Sequence, residues 1–65
     1  MILKMYNKYG AYELVTDGIE SALNIAKREI HEGRANRADV SNARHKVLAI
    51  LTRKAFGRVE VAFAK

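Results

Sequence analysis

The sequence predicts a small α+β domain of order β-β-α-α-β, with a three-stranded antiparallel sheet carrying two helices on one face. Three observations predict it. The two ends of the chain alternate side chains as half-buried strands do, residues 17–32 and 40–55 repeat apolar positions every three or four residues, and single glycines separate several of these blocks. Nothing repeats, no stretch is of low complexity and no proline marks a linker, so residues 1–65 read as a single compact domain.

Leu3, Met5, Asn7 and Tyr9 alternate with Ile2, Lys4, Tyr6 and Lys8, and β-favouring residues recur in Ala11–Thr16. Gly10 supplies the positive φ that a short hairpin loop commonly requires. Asp17 then reads as a helix N-cap, with Glu20 completing a box of capping-box type. Ile19, Leu23, Ala26 and Ile30 form one apolar helical face, and Gly33 is the natural stop. Arg34–Asp39 is polar and reads as a connection. A second helix is expected from Asp39 or Ser41 to about Ala55, with an apolar stripe of Val40, Ala43, Val47, Ile50 and Leu51, and Gly57 to end it. Val59, Val61 and Phe63 share one face of a last strand, which is expected to return beside the first hairpin.

Without cysteine there is no disulfide framework, zinc ribbon or thiol chemistry, which fits a reducing compartment and a cytoplasmic location. The longest apolar run, Val47–Leu51, is far short of the roughly 20 residues of a membrane helix, so no membrane partner is expected. Lys4, Asn7 and Lys8 interrupt anything resembling a signal peptide at Met1–Gly10. A chain of this size buries only about 60% of the surface its unfolded form exposes. Ten of its residues are alanine, so stability is expected at roughly 3–5 kcal/mol, and a homodimer or a larger partner would add burial.

The formal charge is +5, and it is unevenly placed. Residues 1–33 hold four cationic side chains against five carboxylates, whereas residues 34–65 hold eight against two. An excess confined to the second helix and its flanks is the footprint of a polyanion-binding surface. Asn42, Lys46, Ala49 and Arg53 fall on one side of that helix: Asn42 suits a base edge or phosphate, and Lys46 and Arg53 suit phosphates. Arg34 and Arg37 lead into this surface and Arg58 flanks it. Lys4, Tyr6 and Lys8 form a second surface, an aromatic ring among cations on an open sheet, as base stacking uses. The plain readings are a solvated helix face and a tyrosine suited to a strand.

Convergent catalytic groups are not evident. His31 and His45 sit on different predicted elements, Ser41 and His45 lack an orienting acid, and the four glycines stand singly, so no phosphate-binding loop exists. The expectation is a non-enzymatic module without metal or cofactor, binding DNA or RNA phosphates through the basic second helix. With about five phosphates neutralised on a duplex, log affinity should fall with log salt at roughly −4 to −5. The alternative is a protein-docking regulator or inhibitor, such as a viral or mobile-element accessory protein. It would meet an acidic surface of a larger assembly with the basic helix and a sheet edge.

Overall fold

A computed structural model describes residues 1–64. The elements are β1 (Ile2–Asn7), β2 (Gly10–Val15), α1 (Ile19–His31), β3 (Arg37–Ser41), β4 (Val47–Arg53) and β5 (Val59–Phe63), with a short 3₁₀ turn at Ala55–Gly57. All strand pairs are antiparallel, in the order β2-β1-β3-β4-β5. The protein is therefore α+β with one helix over five strands, which overturns the expected three strands and two helices. β5 pairs with β4 instead of returning to the first hairpin, and β3 takes the place beside β1.

The second helix is replaced by the β3–β4 hairpin, for two physical reasons. In β4, Ala49 and Leu51 are fully buried while Leu48 and Ile50 on the other side are half-buried. A strand apolar on both sides shows the same short run as a buried helix segment. The turn, moreover, contains neither Gly nor Pro. Asn42 organises it instead, its side-chain Oδ1 accepting from the backbone N–H of Arg44 (2.9 Å) and Lys46 (3.1 Å). His45 takes the left-handed position, φ 63°, that usually falls to glycine in a turn of this kind.

The first hairpin follows the predicted alternation, with Leu3 and Met5 fully buried. α1 begins later than expected: Gly18, in extended backbone, is the N-cap and no side chain caps the helix. Asp17 makes no capping bond, while Thr16 Oγ1 donates to the Gly18 carbonyl at 3.3 Å. At the other end Gly33, φ 83°, closes the helix as predicted.

Leu3, Met5, Ala22, Ala26, Ile30, Ala35, Ala38, Val40, Ala49 and Leu51 form the core, and half of them are alanine. Small side chains on both layers let the helix lie close to the sheet, and among the described residues no polar side chain is buried. Five strands span about 19 Å between the outermost two, whereas a helix with its side chains is about 10–12 Å wide. The single helix therefore covers the middle strands. Tyr12 and Leu14 on β2 and Phe63 on β5, on the helix-bearing face, stay partly exposed. Among the described residues no helix is long and apolar enough to cross a membrane.

Candidate functional site

Strand direction decides which cations meet. β1, α1 and β4 end at one end of the sheet, where β2, β3 and β5 begin. The β1–β2 turn, the loop after α1 and the β4–β5 connection are thereby gathered there. They bring Lys8 and Tyr9, then Arg34, then Arg53, Lys54, Phe56 and Arg58 to one end of the molecule. Two of these residues are aromatic and almost wholly exposed, Tyr9 at 86% and Phe56 at 99%.

A concavity of about 500 Å³ opens between the first hairpin and the loop after α1, lined by Asn7, Lys8, Tyr9, Tyr12, Gly33, Arg34 and Asn36. Lys8 Nζ stands 5.1 Å from the centre of the Tyr9 ring, within cation–π range. The Tyr12 hydroxyl donates to Met5 Sδ at 3.7 Å, which ties that ring to the core. The Arg53 guanidinium lies beside Gly33, 3.7 Å from where a Cβ on that residue would sit. Across the β4–β5 connection a second hollow, of about 380 Å³, is lined by Lys54, Ala55, Phe56, Arg58, Val59 and Glu60.

Not every cation here is free. Arg34 is paired with both Glu29 and Glu32. Its hydrogen bond to Glu29 above all raises its pKa above the ordinary arginine value; desolvation opposes this, and the nearby charges of Glu29 and Glu32 add to the rise. Lys54 Nζ is 3.9 Å from a Glu60 carboxylate oxygen, a loose contact. Lys8, Arg53 and Arg58 make no ion pair among the described residues.

The remaining sequence-predicted residues lie elsewhere. Arg37 starts β3 on the face away from the helix, where its guanidinium donates twice to Asp39, at 2.9 and 3.3 Å. That hydrogen bonding, with the Asp39 charge, raises its pKa. The Tyr6 hydroxyl donates to the same carboxylate at 3.3 Å. Arg37 and Lys4 both lie over the Tyr6 ring, at 5.4 and 5.5 Å from its centre. Tyr6 is thus occupied by its own neighbours. The open face, where Glu13, Lys4 and Asp39 stand in one register row and Glu60 faces Thr52, is not basic.

Asn42 and Lys46 belong to the hairpin turn at the opposite end, and the Asn42 side-chain oxygen is engaged by the backbone. The basic stripe of Asn42, Lys46 and Arg53 does not exist, because its helix does not. Arg34, Arg53 and Arg58 lie at the same end, Arg53 beside Gly33 next to Arg34 and Arg58 in the second hollow, and Lys8 shares that end. Tyr9, Tyr12 and Phe56 escaped the sequence reading. The available signal was an aromatic residue beside a glycine and a cation, in Lys8-Tyr9-Gly10 and in Phe56-Gly57-Arg58. Among the described residues no group of side chains is placed to hold a metal ion. No family model, curated protein or solved structure matches the chain.

Proposed function

We propose that this chain is a non-enzymatic module that binds single-stranded DNA or RNA across the end of the sheet where its three loops meet. One observation carries the reading: the exposed rings of Tyr9 and Phe56 stand at the same end as Lys8, Arg53 and Arg58, cations without carboxylate partners among the described residues. Exposed rings offer stacking surfaces to unpaired bases, and neighbouring cations hold the phosphates between them. A duplex keeps its bases stacked internally, so these rings favour single strands. Asn36 beside the first hollow supplies an amide for a base edge.

The reading is tested by fluorescence anisotropy of labelled single-stranded and duplex oligonucleotides at three salt concentrations. Three or so phosphates on a single strand give a salt slope of roughly −2, shallower than the duplex value expected from a continuous basic helix. Loss of one stacking ring is worth about 1–3 kcal/mol, so Tyr9→Ala should weaken single-strand binding roughly 5- to 150-fold. Equal affinity for duplex and single strand, or indifference to both Tyr9→Ala and Phe56→Ala, sinks it.

A second reading rests on the open face. Val15 is 87% exposed and pairs in register with half-buried Ile2, leaving an apolar corner on a face of mixed charge. Such a face suits docking on another protein. Absence of nucleic-acid binding at low salt, with Val15→Glu abolishing capture of a protein partner, would favour it.

A further inference from the structure

We propose that the free edge of β5 is where two copies of this chain pair, antiparallel about Val61, to form one continuous ten-stranded sheet. The proposal does not rest on the nucleic-acid reading, because it is argued from the backbone ladder and register of β5, although β5 begins beside the hollow lined by Phe56 and Arg58.

Backbone parity comes first. Lys54 N–H donates to the Arg58 carbonyl at 2.7 Å and Ala64 N–H to the Leu48 carbonyl at 2.8 Å. Hydrogen-bonded and non-bonded pairs alternate in an antiparallel ladder. The 50/62 and 52/60 pairs are therefore bonded as well, and the N–H and C=O groups of Val59, Val61 and Phe63 point outward. An antiparallel second copy centred on Val61 pairs Val61 with its counterpart, and Val59 with Phe63 in both directions. Every outward group on these three residues then finds a partner.

Side chains agree with that register. Val59, Val61 and Phe63 share the face that carries the helix, being in register with Arg53, Leu51 and Ala49. Pairing lays each Phe63, 61% exposed in the single chain, against Val59 of the other copy. On the open face Glu60 stands opposite Ala62, and no like charges are directly opposed. Among the described residues this edge carries a single charge, Glu60. Val59–Phe63 contains no Pro, Lys or Arg, and its register with β4 runs without a bulge.

The other edge is different, and this selects the occupant. Met1 and Thr16 exchange backbone bonds at 3.1 and 2.9 Å. By the same alternation Ala11, Glu13 and Val15 present the outward groups of β2. Its fully overlapped self-pairing sets Glu13 against Glu13 of the second copy, a destabilising arrangement. β5 is thus self-complementary where β2 is self-repelling.

Sedimentation equilibrium of the full chain, from about 10 µM to about 1 mM, tests the pairing, because an interface this small gives at most modest affinity. Mass is expected to rise toward twice 7.3 kDa. Ala62 is exposed, so both of its charged variants should keep the fold, as circular dichroism will check. Ala62→Glu places a carboxylate opposite Glu60 of the other copy, twice per dimer, whereas Ala62→Lys places an ammonium there. The lysine variant is expected to dimerise roughly tenfold or more tightly than the glutamate variant. A chain that stays monomeric throughout, or a dimer in which the two variants behave alike, overturns the proposal.

Discussion

Arg34 holds Glu29 twice. Its backbone N–H donates to the Glu29 carbonyl at 2.9 Å, and its guanidinium Nε donates to the Glu29 carboxylate. Between them Gly33, φ 83°, donates to the Ile30 carbonyl at 3.1 Å. This is the Schellman stop, with an ion pair where an apolar contact usually sits. The same geometry that ends the helix points Arg34 into the hollow beside Tyr9.

Gly33→Ala should therefore destabilise the fold by about 1–2 kcal/mol, the penalty of a left-handed L-residue. Its Cβ would meet Arg53 at an ordinary 3.7 Å, so no clash adds to that. Arg34→Ala should lower the urea midpoint less than Gly33→Ala, since its pairs lie on the surface. The pH dependence has a definite sign. Pairing raises the folded pKa of Arg34, so its contribution is complete wherever the unfolded arginine is charged and fades only as pH rises through the folded value. The difference between wild type and Arg34→Ala should accordingly be flat from about pH 7 to about pH 10 in urea titrations.

Asn42 is a turn residue, and its substitution should read as one. Asn42→Ala removes an acceptor shared by two backbone donors and should destabilise the protein by about 1–2 kcal/mol. Oligonucleotide affinity, measured at a temperature where the variant is folded, should be unchanged. A loss of affinity without a loss of stability would instead assign Asn42 to a binding surface.

His45 carries backbone strain imposed by the β3–β4 turn, in which its N–H donates to the Asn42 carbonyl at 3.0 Å. It is exposed, with φ 63°. The left-handed conformation costs about 1–2 kcal/mol for an L-residue, partly offset by glycine's greater unfolded entropy of about 0.5–1 kcal/mol. His45→Gly should raise stability by up to about 1 kcal/mol, seen as a higher thermal midpoint. No change would mean that the histidine ring makes a compensating contact.

Lys46 and Arg53, which a helix would have placed on one face, should now part in their effects. Arg53→Glu should weaken single-strand binding at least severalfold and reduce the salt slope by roughly 0.7. Lys46→Glu, at the far end, should alter affinity only through net charge, with the slope retained. Anisotropy titrations at three salt concentrations separate the two, and equal losses from both would return Lys46 to the site.

Much of the fold was legible where pattern and punctuation agree. The first hairpin announced itself by alternation around Gly10, α1 by Ile19, Leu23, Ala26 and Ile30 before Gly33, and β5 by Val59, Val61 and Phe63. The β3–β4 hairpin did not, because β4 is apolar on both sides and its turn uses Asn42 and His45 in place of glycine. That one substitution of hairpin for helix moved the candidate site. Arg34, Arg53 and Arg58 were legible as cations in the basic half of the chain, but their company was not.

By itself the sequence determined the local elements at both ends, the alanine-rich content of the core and the concentration of positive charge after residue 33. These follow from side-chain period, turn chemistry and composition, all of which are local. Only the tertiary structure decided that β3 slots between β1 and β4, because pairing of distant strands depends on which faces the helix can cover. The same pairing sends Lys46 to one end of the sheet and Arg53 to the other, and sets Tyr9 and Phe56 at one end. Lys46 and Arg53 are seven positions apart. In a helix a spacing of seven closes two turns onto one face, and in a strand it runs the length of the sheet.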